Sequence, residues 1–584
     1  MDTSRPLRLQ RIEEKSAWSW RRGLLALGAF APAILRMGWA ADDQLIAPAL
    51  VHGIQAVLLL IYAIVMLRTR IAMGEWPAFV KKHGFEASLV GVAIVFLWWW
   101  PVLALLTGLL IVHQLLQLYL LAVDKSKMPP GLIFIGSFIV LIAIGSAALM
   151  LPAATPPDQP IGVVDSVFTI TSAISQTGLV VRPTGEGFTR FGHVIIMVWI
   201  QLGALGILVF GAVFALMLGA SFGLKATRAL GDSTEQGWSG QITVARLVVF
   251  IIVVTHVFEA IGAATLYFGW PETWEGAPGM ETRADRLFHS VFFAVSGFCN
   301  AGFVTTDNSL NGLRTHWTSL IVIAGLIFMG SLGFPVLANI LRVVRGKIRG
   351  MHVMDGTLVR LDLNAKLILS MTLLVYVLGY LMLLTGELSQ AEQPFRLAIA
   401  DAHFMTISRT AGFETIPPSE MGAFSQLVLI LLMFIGGSPV SVAGGIKMMV
   451  FAVLLMTVWA AIRGRTETTA FGRTIPDELV RKSAAIIVLC LVSAMATAGF
   501  LAAVEGGRDG MPLADLIFEA VSAFGTVGYS MGITADLSPA SRIALTIAMF
   551  IGRVGVLAVL ATVVEVARKH QPRYSYASEG VLVY

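Results

Sequence analysis

Four stretches of the chain close on the same phrase: a short amphipathic run, a glycine, then an apolar or aromatic residue. They are DSVFTITSAISQTGL (165–179), RLFHSVFFAVSGFCNAGF (286–303), IADAHFMTISRTAGF (399–413) and ADLIFEAVSAFGTVGY (514–529). Their glycines, Gly178, Gly302, Gly412 and Gly528, stand 124, 110 and 116 residues apart. The chemistry lies in the four-residue ends: Gln176-Thr177-Gly178-Leu179, Asn300-Ala301-Gly302-Phe303, Thr410-Ala411-Gly412-Phe413 and Thr526-Val527-Gly528-Tyr529. Glycine at the third place lets the backbone adopt angles that other residues resist and removes a side chain from the path. Four such extended segments around one axis would present rings of carbonyl oxygens that replace an ion's hydration shell. The helices ahead of them would aim their negative C-terminal ends at the same centre, which favours a cation. One such glycine alone carries no weight; the fourfold recurrence does.

The elements that must position these ends are membrane helices. The 584 residues are 56% hydrophobic and only 13% charged. Runs such as 191–218, 316–341 and 423–462 are too long and apolar for soluble helices. Crossing the hydrocarbon core takes about 20 apolar residues, and lipid offers backbone groups no partners, so these runs must be helical. Each phrase lies between two such runs and is too short to cross and return as helix. It reads as a half-helix followed by an extended return, which membrane depth tolerates only where the strand is buried in protein or lines a wet cavity.

Basic residues gather at Arg5–Arg22, Arg68–Lys82, Lys125–Lys127, Lys225–Arg246, Arg342–Lys366, Arg463–Lys482 and the tail from Arg568. Placing these segments in the cytoplasm puts all four phrases on the outer side, with one span before and one after each. The first 22 residues are polar and basic and do not read as a cleavable signal peptide. Spans are expected at about 23–39 and 45–67, and 86–122 is either a hairpin folding near Pro101 or one long tilted helix. The parity of the basic segments favours the hairpin. The 103–122 stretch has no arginine ladder, so voltage sensing is not supported. Trp98, Trp99 and Trp100 suit a membrane interface. Two cysteines, Cys299 and Cys490, give neither a disulfide framework nor a metal spacing. The net charge of +5 calls for no nucleic-acid partner, and no nucleotide-binding glycine loop, catalytic triad or zinc spacing fits this topology.

These residues resemble the Trk/Ktr/HKT superfamily of potassium transporters, specifically a bacterial Trk/Ktr-type ion-conducting subunit. The likeness covers roughly 131–570 and rests on TSAISQTGL, FCNAGF, SRTAGF and SAFGTVGY with two further segments. It implies an all-α polytopic membrane protein with four M1–pore loop–M2 repeats in pseudo-fourfold arrangement, preceded by an N-terminal helical membrane domain. The expected division is 1–127, then repeats at 128–228, 229–349, 350–465 and 466–584. By this resemblance the four glycines carry selectivity. Sodium-preferring plant relatives place serine at the first, so Gly178 points to potassium.

IGGSPVSVAGGIK (435–447) is the first further segment. Gly436, Gly437, Gly444 and Gly445 would let a helix break beneath the filter, with Ser438 between them and Lys447 at its end as a cytoplasmic-side anchor. In the family this becomes a gating loop. Close helix packing through small residues is the rival reading. Val440 and Val442 stand where relatives carry small or hydroxyl residues. IGRVGVL (551–557) is the second segment, placing Arg553 inside the last span, where a charge must be paired or face water. The resemblance makes it a pore-lining barrier below the filter; a structural ion pair with Glu259 or Glu519 is the alternative. Arg409 is expected to brace the third filter strand from behind, and Cys299 to pack behind the filter. His256, His289 and His403 read as hydrogen-bonded core residues. Asp165, Asp401 and Asp515 suit helix N-caps, or would attract cations.

The expected function is potassium-selective translocation across a bacterial inner membrane, driven by the membrane potential. Coupled symport with protons or sodium, or a less selective sodium/potassium pathway, are the alternatives. The resemblance implies a homodimer in lipid and a cytoplasmic ring of nucleotide-binding regulatory subunits. No cofactor is expected on this chain; K+ is cargo.

Overall fold

The computed structural model describes residues 22–39, 47–73, 76–100, 102–104, 106–111, 113–114, 130–206, 244–271, 279–280, 282–306, 308–348, 360–388, 394–507 and 511–555. The basic stretches at 5–21, 125–127, 225–243 and from Arg568, with Val556 and Leu557, lie outside the described residues. Two compact units form: Met1–Gly136 with Leu151–Pro160, and Ser137–Met150 with Ile161–Tyr584.

The smaller unit holds helices at 22–37, Pro48–Met73, Trp76–Val95 and Val102–Ile111. Leu59, Tyr62, Phe79, Val90, Leu103 and Leu110 share its core. A turn at Phe96–Trp98 separates the last two helices, so 86–122 is broken just before Pro101 and is not one long helix. The 68–82 stretch is two helix ends, with Arg68 and Arg70 on one and Lys81 and Lys82 on the other. Buried Glu86 accepts hydrogen bonds from Tyr62, from Gln114 (2.8 Å) and from Arg22 (3.3 Å), as a carboxylate inside an apolar bundle must.

In the larger unit each phrase becomes a short helix: Val163–Ser175, Arg283–Phe298, Phe395–Ser408 and Leu513–Gly525. At 1.5 Å per residue none of these reaches across a bilayer. Each follows a longer first helix, Pro130–Leu149, Val244–Gly269, Leu363–Leu388 and Asp477–Glu505 respectively. Each precedes a second helix: Arg190–Gly206, Trp317–Ser331, Ala423–Phe434 and Pro539–Val554. Apolar cores sit on the seams between repeats. Phe404, Ala411 and Phe413 of the third repeat join Leu266, Phe293 and Ile327 of the second. Phe168 and Leu179 of the first join Leu516, Leu545 and Met549 of the fourth, which closes the circle.

The expected break after the third phrase is present: helix ends at Phe434 and restarts at Met448. A second break was not foreseen. The run beginning near 316 bends by 100° between Ser331 and Phe334. Gly333 takes φ +83° there, and Pro335 follows at the second position of the new helix, where its missing N–H matters least.

Candidate functional site

The four glycines meet. All have positive φ (+88, +72, +70 and +104° in chain order), and the phrase ends are buried. A side-chain carbon on Gly178 would lie 2.7 Å from the Ala301 carbonyl oxygen, and one on Gly302 2.5 Å from that of Ala411. The same carbon on Gly412 would strike the Val527 oxygen, and on Gly528 the Thr177 oxygen. Each strand therefore abuts the next, and the fourth returns to the first. Only glycine fits at these crossings.

Serines of the short helices hold the strands in place, a feature missed in the sequence. Ser172 and Ser522 accept from the Gly178 and Gly528 N–H groups, both at 3.1 Å. Ser296 and Ser408 donate to the Phe303 and Phe413 carbonyls at 2.7 and 2.8 Å. A serine six residues before the glycine in copies one, two and four was the available signal. Gln176, Asn300 and Thr526 leave their helices through left-handed backbone; Thr410 does not. In the third copy the Ala411 and Gly412 N–H groups both reach the Ser408 carbonyl, at 2.8 and 2.9 Å.

Arg409, expected behind the third strand, is buried there and reaches the broken helix beside it. Its guanidinium donates to the Leu432 carbonyl (3.3 Å) and to that of Ile435. Those carbonyls sit at a helix end, where intrahelical partners run out.

Asp165, Asp401 and Asp515 do not cap their helices. The cap positions are Gly162, Pro394 and Pro512, with no side-chain bond. Asp165 and Asp401 instead clasp neighbouring repeats. Arg190, 12 residues after Gly178, meets Asp285 of the second short helix at 2.5 Å. Arg314, 12 after Gly302, grips fully buried Asp401 of the third through Nε (3.2 Å) and Nη2. Arg542 meets Asp165 of the first at 2.5 Å. Asp285 lies at the surface, where the Thr282 hydroxyl and then Arg190 hold its carboxyl below the usual range. Between repeats three and four, Phe424 stands where the arginine would be. Tyr529 Oη donates to the Met405 carbonyl (2.9 Å) and Ser530 N to Glu414 (3.3 Å) across that seam.

Beneath the ring lies the 435–447 segment. It folds back on itself: Gly436 N donates to the Ile446 carbonyl and Met448 N to that of Gly437, both at 2.8 Å. Its outer flank is stitched to the unforeseen break in repeat two. Ser438 N donates to the Ser331 carbonyl (3.0 Å), Val442 N to that of Gly330 (3.3 Å), and Phe334 N to that of Val440 (3.1 Å). Two interrupted helices thus satisfy each other's backbone groups at a depth without water to do so. Gly444 packs so closely on Thr526 Oγ1 that an added carbon would overlap it. Ser438 is buried, and its carbonyl accepts from Ser441 Oγ at 2.6 Å. Gly437 lies against Ala443 and Ser441, and Gly445 adopts φ +67°. The Lys447 ammonium folds back to the Ala443 carbonyl (2.6 Å).

Arg553, buried in the fourth second helix, pairs with neither Glu259 nor Glu519. Its guanidinium donates to the Val442 carbonyl of the loop and to Gln176 Oε1 of the first strand. Glu259 lies near Gln201 (3.4 Å) and the buried Cys299 thiol (3.6 Å). Glu519 takes Ser530 Oγ, Met531 N and Thr534 Oγ1 at 2.5, 3.0 and 2.9 Å. His289 and His403 are hydrogen-bonded, to Thr305 (2.8 Å) and Tyr376 (2.6 Å). His256 differs from expectation: it lies on an exposed helix face, bonded to the Ile252 carbonyl.

Four span–half-helix–span repeats closed around a ring of backbone crossings define a multi-pass membrane protein for passing small ions. The family model described as TrkH, cation transport protein, matches residues 123–571. The Ktr system potassium uptake protein B of Bacillus subtilis is 33% identical over 440 residues, 74% of this chain and 91% of that protein. The potassium/sodium uptake protein NtpJ of Enterococcus hirae is 29% identical over 470 residues, 79% and 98% of the two chains. The fold matches the crystal structure of the potassium transporter TrkH from Vibrio parahaemolyticus with TM-score 0.58 at 16% identity, over 87% of this chain and 96% of that one. The chain belongs to the TrkH family of cation transport proteins. It is a cation uptake transporter of the bacterial inner membrane and not an enzyme.

Proposed function

We propose that the chain is a potassium-selective pathway whose filter is the four phrase ends and whose gate is the 435–447 segment with Arg553. One observation carries this reading: the closed ring of Gly178, Gly302, Gly412 and Gly528, with a folded-back loop directly below it. Ions would shed water against strand carbonyls, enter the space beneath, and pass where the loop is held by Arg553. The membrane potential supplies about 2.3 kcal/mol per charge per 100 mV, enough to concentrate a monovalent cation without hydrolysis by this chain.

A less selective sodium/potassium pathway is the second reading, favoured by the name of the Enterococcus hirae relative. Three relatives are named as parts of a Ktr system, which supports a regulatory partner, here proposed as a nucleotide-binding ring. Its proposed docking face is the basic stretch 463–482, which holds a small hairpin pairing Thr469–Ala470 with Arg473–Thr474 and the start of the helix Asp477–Glu505. A homodimer in lipid completes the proposed assembly.

The test is potassium-dependent growth and rubidium uptake in cells lacking their own potassium importers. Wild type should rescue growth with potassium preferred over sodium, and Gly178→Ser should abolish the preference while flux continues. Equal preference in both proteins would remove the filter assignment.

A further inference from the structure

The position just beyond the ring differs among the strands: Val180, Val304, Glu414 and Ser530. Only the third carries a charge. The Glu414 backbone is pinned from the second repeat, its N–H donating to Ser309 Oγ (3.0 Å) and its carbonyl accepting from Leu310 N (2.8 Å). Its carboxylate accepts from Ser530 N at 3.3 Å, the residue at the same register of the adjoining strand. It therefore lies over the end of the ring, two residues from Gly412, and stays only partly buried, while desolvation and then the nearby Glu519 carboxylate push its carboxyl up to about 8. Glu519 nearby is fully buried and takes three hydrogen bonds from 530–534, so it is committed to holding that turn. Glu414 has one such bond among the described residues.

We propose that Glu414 is a cation-capturing residue at the outer mouth of the pathway, whose charge sets the concentration at which uptake half-saturates. This rests on the proposed filter and identifies how a cation is gathered to it. A fixed charge in a narrow mouth with low-dielectric walls raises local counter-ion concentration. That effect reaches about 30 Å at 0.01 M salt and about 8 Å at 0.15 M. The plainer role is a stitch between strands three and four, served by the same hydrogen bond. Glutamine separates the two, because its amide oxygen accepts from Ser530 N without the charge.

The experiment is rubidium uptake by the full chain in cells lacking their own potassium importers, at an outer pH above 8, where the Glu414 carboxylate is charged, and at about 0.01 and 0.15 M ionic strength set with an impermeant salt. Glu414→Gln should raise the half-saturating rubidium concentration about fivefold or more at low ionic strength, with a smaller difference at high. Glu414→Asp should fall between it and wild type. Half-saturation of Glu414→Gln equal to wild type at both strengths would overturn the proposal and leave only the stitch. If Glu414→Gln does not reach the membrane, Val304→Glu decides: a second carboxylate at this register should lower half-saturation, and an unchanged value overturns the proposal. The ion preference of Gly178→Ser is read separately, so a failed filter reading is distinguishable from failed capture.

Discussion

Arg553 and Gln176 lie 377 residues apart and are hydrogen-bonded, guanidinium to side-chain amide oxygen. The same guanidinium holds the Val442 carbonyl of the loop. One side chain of the last repeat therefore connects the first strand of the ring to the segment that lies under all four.

If this connection holds the loop closed, cutting either end should loosen it. A hydrogen bond to a charged group contributes about 1.5–3 kcal/mol, so Arg553→Gln should raise rubidium uptake in the absence of a partner subunit by about tenfold or more. Gln176→Leu should move uptake in the same direction, and the double variant should add little to Arg553→Gln alone. Full additivity would mean that the two contacts are not coupled.

The seat of the loop on the fourth strand gives a steric test. Gly444→Ala places a carbon onto Thr526 Oγ1 and should displace the loop, again raising unregulated uptake. Adding Thr526→Ala should restore part of the wild-type restraint. No change in flux from Gly444→Ala would show that this contact does not restrain the loop.

Seams should differ in strength. Removing one partner of the buried Arg314–Asp401 clasp leaves an uncompensated charge, so Arg314→Ala should destabilise by about 3–5 kcal/mol. Arg190→Ala opens a solvent-screened pair and should leave the melting temperature nearly unchanged. Thermal unfolding of the two purified variants checks the order, and equal losses would contradict it.

Val440 holds φ +54°, a left-handed backbone that a β-branched residue adopts only under strain. Val440→Gly relieves about 1–2 kcal/mol of steric conflict against about 0.5–1 kcal/mol of added unfolded-state freedom. The variant should melt slightly higher than wild type and leave the Phe334 N–H bond to the residue 440 carbonyl in place. A lower melting temperature would mean that the valine side chain stabilises the loop by more than the strain.

Much of this was legible in the residues. An apolar composition in lipid leaves helix as the only backbone solution for a spanning run, and four glycines in one phrase announce four equivalent strands. The glycine-rich 435–447 break and the buried position of Arg553 were visible for the same local reason: glycine and charge are exceptional inside such runs.

The tertiary structure decided the partners. In the phrases Asp165 and Asp401 read as caps, yet Asp401 lies in the middle of Phe395–Ser408, and the closing of the circle sets an arginine of the preceding repeat against each. Arg553 had two carboxylates as sequence candidates, and the fold offered it a carbonyl and an amide instead. The bend at Gly333 had its Gly-x-Pro signal, but its purpose emerges only where the 435–447 loop needs unbonded backbone groups to meet. Composition and periodicity are properties of neighbouring residues, so the chain alone determined helices, repeats and ring. Which side chains meet across hundreds of residues depends on how those helices close around one axis, and only the packed structure settles that.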